Sequence, residues 1–291
     1  MISFARRAAL VIPRKRGETR AEERLAAHYR VERRLADRVR AADGPEARRR
    51  ICATMYDELF REVPDHPRLL AKKALATERT HDLEYDLAQL SPYLRDGCTF
   101  LEIGAGDCAL SSRVAAGAKQ VYAVEICDQR RGPLPGNVAL VISDGRSIAV
   151  PEGSVDVAFS DQLMEHLHPD DAAVQLANIH RALKPGGAYV CITPNKLYGP
   201  SDISAYFDDE ARGFHLREYT LREVRRIFAE AGFARIHAYI GARGWFLRMP
   251  CALLEAMEGA LEWLPARLRR RIADTHVMRA LLGLRVAAIK S

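Results

Sequence analysis

"FLEIGAGDCALS", residues 100–111, decides how this chain is read. An apolar, strand-like run ends at Gly104-Ala105-Gly106, and a second apolar segment follows at once. Glycines between a strand and a helix let backbone approach a ligand and turn helix N–H groups toward it. The spacing Gly104-x-Gly106-x-x-Ala109 fits the dinucleotide fingerprint with its permitted terminal alanine. Glu125 ends the next strand-like run about 20 residues on, where an acid grips a ribose hydroxyl. Alone, the motif is weak. What sets it apart is charge, because Glu102 stands just before the glycines and Asp107 just after.

Outward from the turn the rhythm is strand, turn, helix. Apolar runs fall at Cys98–Ile103, Gln120–Ile126, Val138–Ser143, Val155–Ser160, Gly187–Thr193, Ala234–Ile240 and Arg285–Lys290, with helix-like segments such as Asp170–Leu183 between them. Apolar strands alternating with helices predict a mostly parallel sheet covered on both faces. Before the turn, Thr19–Ala42 and a segment opening at Gly44-Pro45 read as helices. The second places Ile51, Met55 and Leu59 at four-residue spacing, a stripe expected to be buried against the sheet domain or a second subunit. A third helix is expected over Arg68–Leu90, after the break at "VPDHP" (63–67). The expected organisation is a basic tail and helical arm over 1–93, then a domain over 94–291.

Charge separates two nucleotide-like ligands. NAD brings two phosphate charges and favours bare N–H groups. S-adenosylmethionine (SAM) brings a sulfonium, an ammonium, a ribose diol and an adenine amine, which want acceptors. At successive strand ends, where such sheets bind ligands, this basic chain offers Glu102, Asp107, Glu125, Asp144 and Asp161.

The motifs "LEIGAGDC", "VYAVEI", "ISDGRSIAVPEGSVDVAFSDQLMEHL" and "RALKPGGAYVCITPN" resemble, in order, those of class I SAM-dependent methyltransferases of the small-molecule branch, similar to sugar and natural-product O-methyltransferases. The resemblance covers roughly Leu94–Phe233. It implies an α/β, Rossmann-like, seven-stranded, mostly parallel sheet with an antiparallel last strand. It also implies cofactor contacts: Gly104 and Gly106 at the methionine part, Glu102 at its ammonium, and Glu125 at the ribose, with Ile126 as a further cofactor contact. Asp144 with Gly145 would lie at the adenine, and Asp161 with Gln162 along the wall. Glu125 and Asp144 also read as turn or cap residues, and Asp161 as a cap for the next helix.

A hydroxyl acceptor calls for a base, and a histidine suits that. His166 follows the fourth strand, where some relatives keep a His pair of which one member here is Glu165. His215 lies in a lid-like stretch, 199–219, after the fifth strand. Glu165 is the third candidate base; His66, Tyr206 and Tyr219 are candidate substrate contacts. Thr220 with Glu223 has the form of a capping box.

The expected activity is methyl transfer to a saccharide, glycolipid or natural-product hydroxyl. N- or C-methylation of a small molecule, lipid or quinone is the alternative, with RNA further off. Nucleic acid is not expected as a partner, because Ser160-Asp161-Gln162-Leu163 lacks the base-pocket motif and no basic–aromatic stretch appears.

Net charge is +6, with Arg6, Arg7, Arg14, Lys15 and Arg16 before the first acid at Glu18. That tail reads as solvated, with membrane contact or a transit peptide left open. Six scattered cysteines with no C-x-x-C spacing predict reduced thiols, no metal and a cytoplasmic setting. No apolar run reaches the ~18 residues of a membrane span. Residues 245–284 read as a helical insert. Its apolar first part (245–264) could cover the sheet, form a homodimer interface, line a pocket or touch a membrane.

Overall fold

The computed structural model describes residues 18–67, 69, 76–130, 132–242 and 245–291. The basic tail and most of the first part of the third expected helix lie outside these residues. The chain divides into two compact units. One takes the chain up to Lys73 together with Gly199–Leu216; the other is Ala74–Tyr198 with Arg217–Ser291.

The larger unit holds α3 (Ala76–Leu90), β1 (Thr99–Ile103), α4 (Ala109–Val114), β2 (Gln120–Glu125), β3 (Val138–Ile142), β4 (Val155–Asp161), α5 (Pro169–Ala182) and β5 (Leu183–Thr193). There follow α6 (Leu221–Glu230), β6 (Arg235–Ala242), β7 (Trp245–Met249), α7 (Cys251–Glu262), α8 (Ala266–Ala273), α9 (His276–Leu282) and β8 (Leu284–Ile289). Eight strands form one sheet in the order β3-β2-β1-β4-β5-β8-β6-β7. Neighbours from β3 through β5 are parallel, whereas β8 runs antiparallel to both β5 and β6. The strand order reverses between β1 and β4, which opens a crevice at their C-terminal ends.

The apolar strands bury both faces. Leu101 and Ile103 join Leu176 and Ile179 of α5 and Val224 and Phe228 of α6 in one layer. Phe100 joins Leu90 of α3 and Leu110 of α4 in the other. The capping box is present: Thr220 Oγ1 accepts from Glu223 N, and the Glu223 carboxylate accepts from Thr220 N.

The sheet has one strand more than the seven expected. Trp245–Met249, read as the start of a helical insert, pairs antiparallel with β6. Its aromatic and aliphatic run favours a strand, and Phe246 packs edge-on against Tyr85 with ring centroids 5.1 Å apart. The helical part of the insert is fastened by Glu258 of α7, whose carboxylate accepts from Leu221 N (3.0 Å) and Asn195 Nδ2 (2.6 Å).

The smaller unit contains α1 (Glu22–Arg40) and α2 (Pro45–Glu62). The Ile51–Met55–Leu59 stripe, expected to pack on the sheet or a second subunit, is instead absorbed within this unit. Met55 and Leu59 form a core with Leu35 and Val39 of α1 and with Phe214, and Ile51 packs against it. The stretch expected as a lid divides between the units at Leu216.

Candidate functional site

The glycine turn is held by β2: Gly104 N and Ala105 N both donate to Val124 O, at 2.9 and 3.2 Å. Gly104 (φ 78°) and Gly106 (φ 55°) are left-handed, a region L side chains enter at a cost. A Cβ on Gly104 would lie 3.3 Å from Leu163 Cδ1. Two non-glycine residues among the described ones also have positive φ: Cys108 (62°), just before α4, and Gln162 (48°), just after β4. Both flank the crevice between β1 and β4. Backbone strain of order 1–3 kcal/mol tends to concentrate at functional sites.

Glu102 lies beneath this turn and is buried. Ser111 Oγ donates to its Oε2 at 2.5 Å. Burial pushes its carboxyl up to about 8, aided by the negative charges of Asp86 and Glu125, against the pull of Ser111. A carboxyl in this setting gains from a cation placed beside it. Nothing in the sequence pattern marked Ser111 as its partner.

Glu125 ends β2. Its Oε1 accepts from Gly106 N (2.8 Å) and its Oε2 from Ile126 N (2.9 Å), so it braces the glycine turn and keeps lone pairs on both oxygens. Ile126 is 44% exposed, and a Cβ on Gly145 would lie 3.8 Å from its Cγ2. Asp144 is the hub of its own loop: Oδ1 accepts from Arg146 N (2.9 Å) and Ser147 N (2.7 Å). Burial works to raise its pKa, but these N–H donors outweigh burial and hold it below the usual range. The turn-residue reading is therefore the one its contacts show.

Asp161 and Gln162 are exposed at the end of β4. A short 3-10 turn, Met164–His166, follows. His166 is half-buried there, whereas Glu165 is fully buried and accepts from Thr193 Oγ1 at 2.9 Å. Glu165 thus gives Oε2 to β5 from the interior of the larger unit. Tyr219, expected to meet substrate, is also a core residue, 2% exposed, with its hydroxyl pushed up to about 12 by burial.

A family model described as a methyltransferase domain matches residues 75–238, more than half of the chain. The chain belongs to that family.

This methyltransferase is 27% identical over 216 residues to a probable S-adenosylmethionine-dependent methyltransferase of Mycolicibacterium smegmatis, covering 73% of this chain and 78% of that one. It is 27% identical over 161 residues to the malonyl-[acyl-carrier protein] O-methyltransferase of Xylella fastidiosa, covering 52% of this chain and 46% of that protein. The chain thus spans less than half of that relative's length. Among solved structures, one chain of the complex between the Haloferax volcanii Trm112 methyltransferase activator and the putative methyltransferase superposes with a TM-score of 0.51. The match has 16% identity and covers 73% of this chain and 91% of that one, and it carries the fold alone. The class I SAM-dependent fold read from the sequence stands, with SAM as cofactor. No helix among the described residues is long and apolar enough to cross a membrane.

The smaller unit has a buried polar centre of its own. His28 Nε2 lies 2.7 Å from Glu32 Oε1, and His66 Nε2 lies 3.8 Å from the same oxygen. Arg20, which can only donate, points Nη1 at His28 Nδ1 (3.1 Å). His28 Nδ1 must then accept, so Nε2 carries the hydrogen and donates to Glu32. The three side chains are close enough to suggest a metal site, yet a ring nitrogen bearing that hydrogen cannot ligate. Glu32 Oε2 accepts from Phe214 N at 3.2 Å. Burial works against ionisation of Glu32, but the two histidines and the Phe214 N–H overcome it and hold the carboxyl down at about 2.

His215, a candidate base, is buried in this unit, with its backbone N–H donating to Asp202 Oδ2 at 3.2 Å. Gly213 must be small, because a Cβ would sit 2.6 Å from Glu32 Oε2 and 2.7 Å from Asp202 Oδ2. Tyr206 packs with Leu25, Tyr29, Ile203 and Phe207. The structure therefore groups Glu102, Gly104, Gly106 and Glu125 around one turn, while His66, Tyr206 and His215 belong to the other unit. The His28-x-x-x-Glu32 spacing on α1 was a legible signal for the buried centre that the sequence reading passed over.

Proposed function

We propose that the glycine turn and the strand ends beside it hold SAM and that the chain methylates a hydroxyl of a small molecule of the saccharide, glycolipid or natural-product kind. The observation that carries the cofactor reading is Glu102, a buried carboxyl beneath the turn with Glu125 beside it. The negative charge of Glu125 would repel phosphate there, and an ammonium would be welcomed by both carboxyls. Glu102 takes the ammonium, and the remaining lone pairs of Glu125 take the ribose hydroxyls. Exposed Ile126 and the backbone of Gly145 flank the adenine. Asp144 shapes that loop through its own N–H contacts rather than offering its full acceptor set. Asp161 and Gln162 complete the wall.

When bound, SAM would supply a methyl carbon already activated for displacement by its bond to the sulfonium sulfur. The protein's part is alignment, exclusion of water and removal of the acceptor proton. His166 is the base in this reading, since it stands half-buried on the turn that follows β4, while Glu165 is fully buried with Oε2 held by Thr193. The acyl-carrier O-methyltransferase relative agrees with transfer to oxygen.

The test is single-turnover methylation with labelled SAM against fractionated extracts, followed by His166→Ala. With the acceptor found, the variant should turn over roughly 10²- to 10⁴-fold more slowly while its SAM affinity stays within about twofold. A wild-type rate in His166→Ala removes His166 as the base.

A further inference from the structure

Six of the nine large exposed hydrophobic residues in the described chain lie between residues 245 and 277, so exposure is concentrated on one segment. α7 is apolar on two sides. Leu254 and Leu261 face inward, while Leu253, Ala256, Ala260 and Trp263 recur at helical spacing and are all exposed. That outer stripe is about 15 Å long at 1.5 Å per residue. A helix with a second, outward apolar stripe belongs against a second apolar phase. Trp263 is 91% exposed and Trp245, on edge strand β7, is 83% exposed. Leu247 shares the face of β7 that Trp245 presents, two residues on.

Charge identifies what covers this surface. α8 follows Trp263 after one short turn and carries Arg267, Arg269, Arg270 and Arg271 with no acid along Ala266–Ala273. Exposed Leu268 lies among them and exposed Val277 opens the next helix. Of the acids nearby, Glu255 is held by Arg225 at 2.5 Å and Asp274 by Arg279. Glu262 is an exposed acid on the same segment. In a two-fold dimer the same patch would meet itself, setting arginines against arginines, and charge is depleted from the centres of such interfaces. An anionic bilayer meets both features: tryptophan and leucine enter the headgroup boundary, and arginines meet lipid phosphates.

We propose that the outer face of α7, with the β7 edge and α8, docks this methyltransferase on an anionic lipid surface. The inference does not rest on the identity of the acceptor.

Trp245 and Trp263 are the only tryptophans in the chain, so intrinsic fluorescence reads this patch directly. Vesicles of phosphatidylcholine with phosphatidylglycerol should shift the emission to the blue and carry the protein down on sedimentation. Phosphatidylcholine alone should do so much less, and salt should weaken the effect. Trp245→Ala with Trp263→Ser should weaken sedimentation by about tenfold or more. Arg267→Gln and Arg271→Gln should each weaken it by roughly fivefold. SAM affinity should be unchanged in these variants. If a variant fails to fold, quenching of the wild-type tryptophans by vesicles containing brominated phosphatidylcholine and phosphatidylglycerol decides, with quenching expected. Absence of both quenching and sedimentation overturns the proposal. So does sedimentation indifferent to the substitutions in variants that keep SAM affinity, or a concentration-dependent dimer lost in Trp263→Ser.

Discussion

Among the buried glutamates of this chain, two lie under opposite conditions. Glu102, beneath the glycine turn of the larger unit, has Ser111 as its donor and carries a carboxyl raised to about 8. Glu32, on α1 of the smaller unit, is met by His28, His66 and the Phe214 N–H, and its carboxyl is lowered to about 2. Burial opposes charge in both. What differs is the supply of donors. A carboxylate saturated by its own protein is a staple. One buried with a single residue, Ser111, as its donor, at the reversal point of a parallel sheet, is suited to a cationic ligand.

The largest test of that contrast is removal of the staple. Glu32→Ala would remove the acceptor that His28 Nε2 and Phe214 N share. Breaking a buried charged network by one member costs about 3–5 kcal/mol. Hydrogen exchange of α1 and α2 should accelerate accordingly. Protection unchanged in the variant would mean that Glu32 is not the staple.

Acid should act in the same direction with a slightly smaller effect. Glu32 has a depressed folded pKa, so its contribution is full above about pH 4.5 and is lost as pH falls toward 2. The shift corresponds to about 3 kcal/mol by 1.36 kcal/mol per unit. Glu102 has a raised folded pKa, so its contribution runs the other way: it is present below about pH 4.5 and lost as pH rises through about 8. Exchange in α1 and α2 at pH 2.5 and pH 5, compared with Glu32→Gln, checks the sign. A Glu32→Gln variant with the wild-type acid profile would contradict it.

Smaller still is the effect expected at Glu102. Glu102→Gln mimics the protonated form, so thermal stability at neutral pH should move by less than about 1 kcal/mol, whereas SAM binding should weaken by about 1.5–3 kcal/mol. In the wild type at pH 7, SAM binding should release up to about one proton, read from calorimetry in buffers of different ionisation enthalpy. Release as large in Glu102→Gln as in wild type would assign the proton elsewhere.

Much of the sheet was legible because parallel strands are buried on both faces and read as uninterrupted apolar runs. Val155–Asp161 and Leu284–Ile289 fall within one residue of the expected ends. Trp245–Met249 was missed because one short aromatic run next to a long apolar helix has no periodicity of its own. The glycine turn was legible through spacing, and the acid rim through strand ends. What the sequence could not give is how side chains spend their hydrogen bonds. Asp144 looks like an open acceptor in sequence and is the centre of its own loop in the structure. Glu165 looks like a candidate base and Tyr219 like a substrate contact, and both are interior. Assignment of the lid stretch to the smaller unit rests on long-range contacts, such as Glu32 with Phe214, that no local pattern encodes.

The claim that the acid-rimmed turn holds SAM is tested most directly by titration calorimetry on Glu125→Ala. The account expects SAM to bind the wild type and to bind the folded variant about 10- to 150-fold more weakly, a loss of roughly 1.5–3 kcal/mol, with NAD binding neither. A folded Glu125→Ala protein with wild-type affinity for SAM, or a wild type that prefers NAD, would contradict it.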